Sequence, residues 1–406
     1  MRQTVVSSWP LSSFHGWGVY GLNLALNWAE DPDVALVCAM EVDPSLLALD
    51  AASLERLRPM REASANLVRK LAPFAGIQVE VPVPVLLAMD RHLLAVRSAN
   101  RVVVSGSKNL GVVFLESAGL SPEAVARAER MDLILAGSSW NEALLRTAGV
   151  TRVRTVLQGV DPAIFHPGPR LGRLEGRPAG DPDIRDRFLV FSGGKPERRK
   201  AQDLVLAAFR IFAQRHPDAL LVAAWGSHWP EAARTLDQSG VAPSVVFAPD
   251  GQLNAAGWAC ATGVAADQVL DLGLTPNAKM PALLREMDVA LFPNRCEGGT
   301  NLVAMEAMAC GVPTILSANT GHLDLIAPGN SYPLTRQSAL DGEEAGAGDV
   351  PGWGESDVDE IVAALEAAYA DRDEARRRGL AGAETLSRMT WAHTAAAVKD
   401  AVLSLG

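Results

Sequence analysis

The sequence is short of several things that would announce a function. Its four cysteines, Cys38, Cys260, Cys296 and Cys310, have no close metal-type spacing. Cys38 lies in the apolar run "VALVCAM", so such cysteines are expected to be small buried hydrophobes in a reducing compartment. The opening "MRQTVVSSWPLSS" carries no apolar signal core, and no window reaches membrane-span length. A cytoplasmic protein is expected. The formal net charge is −10 with no basic tract to offset it, which excludes the usual nucleic-acid footprint. The one cationic stretch, "LERLRPMREASANLVRKL" from Leu54 to Leu71, reads as a solvated face interrupted by Pro59, with at most peripheral contact to anionic lipid. There is no H-E-x-x-H and no G-x-S-x-G, so neither a zinc protease nor a serine hydrolase is indicated. D-x-D strings begin at Asp31, Asp181, Asp357 and Asp371, but among 47 acidic residues chance accounts for them. No metal is expected.

What is present is an alternation. At 406 residues, 48% apolar and 21% charged, the chain suits a folded protein of two or three domains. Short apolar runs read as strands: "TVVSSW", "VALVCAM", "RVVVSG", "GVVFLE", "DLILAG" and "VRTVLQ", then "FLVFSG", "LLVAAW", "DVALFP" and "VPTILS". Helix-like segments such as "GLNLALNWAE", "WNEALLRTAG", "AQDLVLAAFRIFAQRHP" and "NLVAMEAMA" lie between them. The pattern predicts an α/β protein whose parallel sheets are covered by helices. "HPGPRLGRLEGRPAGDPDIRDRF" reads as a linker, and the acidic, Gly-rich "RQSALDGEEAGAGDVPGWGESD" as an exposed loop. Two Rossmann-like domains facing across a cleft are expected, 1–168 and 186–387, with ligand at the carboxyl ends of strands.

Three glycine turns carry chemistry. In "FPNRCEGGTNLVAMEAMACGVPTILS" the helix is expected to start near Thr300 or Asn301, either a good N-cap. Glu297 then sits in the loop at a strand end and Glu306 within the helix. Gly298 and Gly299 let the backbone approach a ligand, and the first helical turn favours an anion such as a diphosphate. The alternative is a βα turn whose acids are merely solvated. "FSGGKPERRKAQDLVLAAF" repeats the strand–turn–helix plan with Gly194 and four cations, Lys195, Arg198, Arg199 and Lys200, suited to phosphate or to a plain basic surface turn. "HGWGVYGLNLALNW" gives a literal G-x-G-x-x-G at Gly16, Gly18 and Gly21, with Trp17 inside it and Glu41 and Asp43 beyond. The loop "PLSSFHG" separates it from its strand, which argues against a nicotinamide or flavin cofactor and for a loop reaching into the cleft. "SSWNE", with Ser139 and Glu142, reads as a capping box.

Together these motifs resemble the retaining GT-B glycosyltransferases of family four. The resemblance is closest in "EGGTNLVAMEAMACGVPTI". It extends through "MDLILAGSSWNEALLRTAGV…VRTVLQGVDPAIFHPG", "GGKPERRKAQDLVLAAF", "LTPNAKMPALLREMDVALFPN" and "SRMTWAHTAAAV", the last similar to a closing helix (388–406) that returns to the first domain. It implies metal-independent transfer, with retention, from a UDP- or GDP-linked sugar to a saccharide, a lipid-linked glycan or another hydroxyl acceptor, with no cofactor. By position, Glu306 would hold the ribose hydroxyls and Glu297 would sit beside the donor sugar. Gly299, Thr300, Asn301 and Leu302, with Gly298, would line sugar or diphosphate. Lys195 and Lys200 match the family's basic pair, with Gly194 and Arg199 beside them; Gly16 and Gly18, flanking Trp17, match its N-terminal glycine loop. The departures are Lys195 where Arg is usual, one extra residue between the two Glu, and Glu116 near where a first-domain histidine often stands. An epimerase or phosphorylase on the same fold, a catalytically silent partner subunit and a dinucleotide oxidoreductase are the alternatives.

Overall fold

The computed structural model describes residues 2–96, 102–172, 184, 186–340 and 350–405. Asp181, most of the linker and the middle of the acidic loop lie outside the described residues. The chain divides into two units, the first Met1–Gly159, Pro276–Ala278 and Met389–Gly406, the second Val160–Thr275 and Lys279–Arg388. The division falls at Gly159, ahead of residue 168, because the residues that follow pack on the second unit. There Arg285 Nε donates to the His166 carbonyl at 3.0 Å, and Arg170 pairs with Asp288 at 2.8 Å.

In the first unit the strands are β1 (Gln3–Ser7), β2 (Val34–Cys38), β3 (Gln78–Val81), β4 (Val85–Met89), β5 (Val103–Gly106), β6 (Asn109–Val113), β7 (Leu133–Ala136) and β8 (Val153–Thr155). The helices are α1 (Gly16–Trp28), α2 (Ala51–Arg56), α3 (Arg58–Leu71), α4 (Pro122–Ala128) and α5 (Ser139–Thr147). The main sheet is parallel in the order β2-β1-β4-β6-β7-β8. Its central β4 follows Pro84 directly and is buried along its whole length. "RVVVSG" is a strand, but β5 pairs with β3 in a separate two-stranded sheet rather than joining the main one.

Local chemistry corrects three expectations here and bears out a fourth. The Gly16–Gly21 stretch is the start of α1, not a loop: His15 caps it, its Nδ1 accepting from the Gly18 N–H at 3.0 Å. A Cβ on Gly18 would lie 2.4 Å from Ser12 Cβ, so packing against the preceding loop requires glycine there. The cationic stretch is interrupted as expected: α2 ends at Arg56 and α3 starts at Arg58, with Pro59 in its first turn, where its missing N–H costs nothing. The cap of α5 is Ser138, accepting from the Asn141 N–H, while Glu142 turns to Thr155 and Arg146. Cys260 is exposed, whereas Cys38, Cys296 and Cys310 are buried.

The second unit contains β9 (Phe188–Gly193), β10 (Ala219–Ala224), β11 (Val269–Asp271), β12 (Val289–Phe292), β13 (Thr314–Ser317), β14 (Tyr332–Leu334), β15 (Gln337–Ala339) and β16 (Gly354–Ser356). Its helices are α6 (Gln202–Arg215), α7 (Ala255–Ala261), α8 (Met280–Leu284), α9 (Leu302–Ala309), α10 (Val358–Ala370) and α11 (Arg372–Leu386). The parallel sheet runs β11-β10-β9-β12-β13-β14, and β15 pairs antiparallel with β16. Phe188, Val190, Leu221, Val289 and Leu291 of the sheet meet Phe209 and Phe212 of α6 and Trp258 of α7 in one fully buried cluster. Each such side chain contributes roughly 1.5–3 kcal/mol. The sheet is thereby a stiff base for the loops at its carboxyl ends. Asp357 and Asp371 of the D-x-D strings cap α10 and α11.

The last helix, α12 (Trp391–Leu403), belongs to the first unit. Trp28 Nε1 donates to the Ala395 carbonyl at 3.2 Å, Thr394 Oγ1 to the Leu157 carbonyl at 2.9 Å, and Lys399 pairs with Asp31 at 2.8 Å. No helix among the described residues is long and apolar enough to cross a membrane.

Candidate functional site

Strand order reverses in the second sheet between β9 and β12, and loops leaving the carboxyl ends at such a point leave a crevice. The two glycine turns of this unit leave from those two strands. After β9, Gly194 turns with φ +117° and leads into the basic segment, whose residues 198–200 form a single 3₁₀ turn before α6. After β12 come Asn294, Arg295, Cys296 and Glu297, then the glycines and α9. The segments are joined by backbone: the Arg295 N–H donates to the Arg199 carbonyl at 2.7 Å and the Cys296 N–H to the same oxygen at 3.3 Å.

Side chains expected at the site meet across that seam. Lys200 Nζ lies 2.6 Å from Glu297 Oε1, and Arg199 Nη1 lies 3.1 Å from Glu297 Oε2. Asn294 Nδ2 also donates to Glu297 Oε1. Glu297 is buried, and burial alone would raise its carboxyl pKa. The Lys200 ammonium and Arg199 guanidinium outweigh this and lower it to about 2. Burial pushes the Lys200 ammonium below the ordinary lysine range, with Glu297 opposing. The buried acid is therefore a fixed carboxylate that holds two cations.

The start of α9 differs from the expected cap. Asn301 holds the N-cap position, but with φ +61° and no side-chain capping bond. Its amide instead turns sideways, Oδ1 accepting from Lys200 Nζ at 3.4 Å and Nδ2 lying 3.0 Å from His322 Nε2. His322 is fully buried; its Nδ1 faces the Ser317 carbonyl at 3.2 Å and the Ser317 hydroxyl at 2.9 Å. Nδ1–H donation to the carbonyl leaves Nε2 to accept from Asn301. Burial drives the imidazole down to about 4 against the pull of Glu297, so it is neutral. Thr300 is buried, its hydroxyl against Met305 Sδ at 2.9 Å. Glu306 is buried on α9. The Gly298–Gly299 bend is pressed against Gly321, where a Cβ would stand 1.7 Å from the Gly299 carbonyl oxygen. The Glu297 N–H donates to Thr320 Oγ1 at 2.8 Å.

Lys195 does not join Glu297. It pairs with Glu197 at 2.6 Å, and the other oxygen of Glu197 takes Arg199 Nη2 at 2.6 Å. Arg198 points elsewhere, its guanidinium 5.9 Å from the Trp353 ring. Of the remaining expected site residues, Gly16, Trp17, Gly18 and Glu116 belong to the first unit. Gly16 is exposed at the start of α1, Trp17 meets Phe114 edge-on at 4.8 Å, and Glu116 is exposed just beyond β6.

Sequence reasoning missed Glu197, Asn294, Arg295, Asp203, Thr320 and His322. Arg295 is the largest omission: wholly buried, it forks onto Asp203 of α6 at 2.9 and 2.7 Å, reaches Glu355 of β16 at 2.7 Å and donates to the Arg198 carbonyl at 2.8 Å. Glu197 alone had a visible signal, an acid set among four cations. Among the described residues no three His, Cys, Asp or Glu side chains gather as a metal-holding group.

Comparison with known proteins matches residues 144–398 to the family described as "Family 4 Glycosyltransferase in conflict systems". The chain belongs to this family. The matched segment runs from α5 to α12 and so contains both halves of the site. Among curated relatives, D-inositol 3-phosphate glycosyltransferase of Acidothermus cellulolyticus is 28% identical over 225 residues, 52% of this chain and 42% of that protein. The GDP-mannose-dependent alpha-(1-6)-phosphatidylinositol monomannoside mannosyltransferase of Mycolicibacterium smegmatis is 27% identical over 221 residues, 50% of this chain and 47% of that protein. The chain thus spans about half the length of the curated relatives it matches. Among solved structures, sucrose-phosphate synthase from Thermosynechococcus elongatus superposes with TM-score 0.62 at 18% identity, over 100% of this chain and 99% of that one. Anabaena Alr3699/HepE in complex with UDP and glucose gives 0.63 at 13% identity over 100% of both. At these identities the likeness speaks for the fold, which is GT-B.

Proposed function

We propose that this family-four member transfers a glycosyl group from a nucleoside diphosphate sugar to an acceptor hydroxyl, with retention and without a divalent metal. The observation that carries the reading is the seam between the two turns, where Lys200 and Arg199 are set beside the start of α9 by backbone hydrogen bonds. Cations fixed in this way, together with a helix start, suit the charge that develops on a leaving diphosphate. In the step itself the anomeric C–O bond to the diphosphate breaks and a bond to the acceptor oxygen forms on the same face. The acceptor proton departs with the diphosphate. Glu297, already committed to two cations, orients them rather than attacking the sugar. Glu306 on α9 takes the ribose hydroxyls. The names of the curated relatives, and the UDP and glucose bound in the structural neighbour, favour a GDP- or UDP-linked donor and an acceptor on a cyclitol or a glycolipid headgroup. We place the reaction in the cytoplasm on the composition and the buried thiols.

The test is transfer from UDP- and GDP-sugars to such acceptors, with the anomeric configuration of the product read by NMR and the rate compared with and without EDTA. A product of the donor's configuration at an EDTA-insensitive rate is expected. An inverted product overturns retention, and a rate abolished by EDTA and restored by magnesium overturns metal independence. Epimer or free sugar formed without acceptor replaces transfer with the epimerase or phosphorylase reading.

A further inference from the structure

We propose that Glu197 sets how tightly the basic turn grips a nucleoside diphosphate, and that it does so by lowering the affinity. The inference rests on the donor-site reading above. Glu197 sits in the middle of the phosphate-facing segment with its side chain 13% exposed, and each carboxylate oxygen takes a different cation, Lys195 and Arg199. Its backbone is fixed at both ends: the carbonyl accepts from the Lys200 N–H at 2.8 Å, and the N–H donates to Gln202 Oε1 at 3.3 Å. The carboxylate is thus held in place among the cations. With Arg198 directed away, the turn offers Lys195, Arg199 and Lys200 against Glu197 and Glu297, a surplus of one positive charge.

That surplus matters differently for donor and product. A nucleoside diphosphate sugar carries about two negative charges, and the released nucleoside diphosphate close to three at neutral pH, because its terminal phosphate has a second pKa near 6. A more cationic turn would favour the more highly charged product and slow its release. An acid placed among the cations weakens the field on both ligands and weakens it more for the product. Glu197 thereby acts as an affinity-setting residue, and the Lys195–Glu197 pair is the contact an incoming phosphate competes with.

Calorimetric titration of the full chain with UDP, GDP and inorganic pyrophosphate, in wild type, Glu197→Gln and Glu197→Asp, tests this. Glu197→Gln keeps the shape and removes the charge. It is expected to bind the preferred nucleoside diphosphate and pyrophosphate about tenfold more tightly, a modest fraction of the Coulomb energy of one charge at this range. Donor KM and kcat should fall together as product release slows. Glu197→Asp, which keeps the charge, should stay within a few-fold of wild type. Equal or weaker binding by Glu197→Gln overturns the inference and leaves Glu197 as an orienting group for Lys195 and Arg199. Absence of binding in wild type and variants alike overturns the donor-site reading, and this inference with it.

Discussion

Two places in this molecule share a backbone plan and are filled in opposite ways. In the first sheet the order reverses between β1 and β4, in the second between β9 and β12. At the first reversal the chain leaving β1 is fastened to β4, the Ser8 N–H donating to the Leu86 carbonyl at 3.0 Å and the Ala88 N–H to Ser8 Oγ at 2.9 Å. Rings cover it: Trp9 lies 5.4 Å from Trp17 and 5.9 Å from Tyr20, and Trp17 meets Phe114. At the second reversal the filling is charge, Lys200 and Arg199 on Glu297, with the neutral Asn301–His322 pair behind them. Parallel sheets offer a crevice at both points; side chains decide that one is packed and the other electrostatic. Replacing either filling should therefore have different consequences.

The largest expected effect is on the packed side. Trp9 is 2% exposed, so Trp9→Ala should cost about 3–4 kcal/mol of stability by urea denaturation. Nucleoside diphosphate affinity, measured well below the melting temperature, should stay near wild type. A tenfold loss of affinity with stability intact would make the first reversal part of the binding machinery and break the comparison.

The charged side should respond in rate. Lys200→Ala is expected to lower turnover about a hundredfold, as when one oriented donor to a developing negative charge is removed. Glu306→Ala should weaken nucleotide binding instead, read by titration with UDP and GDP. Wild-type turnover and affinity in both variants would remove these residues from the site.

The same contrast explains what was legible. All ten apolar runs read as strands are strands, because a buried parallel strand must be a continuous apolar run. Yet β4 at the first reversal has no such signal, its run hidden behind Pro82 and Pro84, and nothing in "RVVVSG" tells that β5 pairs with β3 outside the main sheet. The glycines of α1 read as a loop because "PLSSFHG" separates them from their strand, and the cap that starts the helix is a histidine, outside the usual capping residues. In the site, Glu297, Lys200 and Glu306 stood out because glycine turns flank them. Arg295 and Asp203 are 92 positions apart and become partners only through the fold. His322 follows a glycine with no metal or catalytic spacing around it, and Asn301 was read correctly for position but not for direction.

His322 gives the next effect, in pH. Its folded imidazole titrates at about 4, below the roughly 6.5 of an unfolded chain, so as pH falls the unfolded chain takes the proton first. Stability from this group is complete above the unfolded value. It declines toward pH 4 by at most about 1.4 kcal/mol per unit. Glu297, lowered to about 2, has the same sign, but its contribution is lost only as pH falls below about 4.3. Urea denaturation at pH 7, 6 and 5 should therefore show a slope that His322→Asn reduces. An unchanged slope would mean that the imidazole takes up its proton at the same pH in the folded and unfolded chain; a slope steepened by His322→Asn would mean that it carries a proton in the folded protein.

The smallest effect tests how far the charged filling extends. Glu355 of β16 is 28% exposed and holds Arg295 at 2.7 Å, while Asp203 keeps the fork of the same guanidinium. Glu355→Gln retains an oxygen to accept from Arg295 Nε, so the stability loss should stay below about 1 kcal/mol, as for a partly screened pair. Arg295 nevertheless donates to the Arg198 carbonyl, and its backbone N–H to that of Arg199, so a small displacement passes directly to the turn that carries Lys200. If the hairpin of β15 and β16 helps to fix that turn, Glu355→Gln should raise donor KM a few-fold with kcat and melting temperature nearly unchanged. Equal KM in variant and wild type would confine the electrostatic filling to the two turns themselves, with Asp203 alone sufficient to hold Arg295.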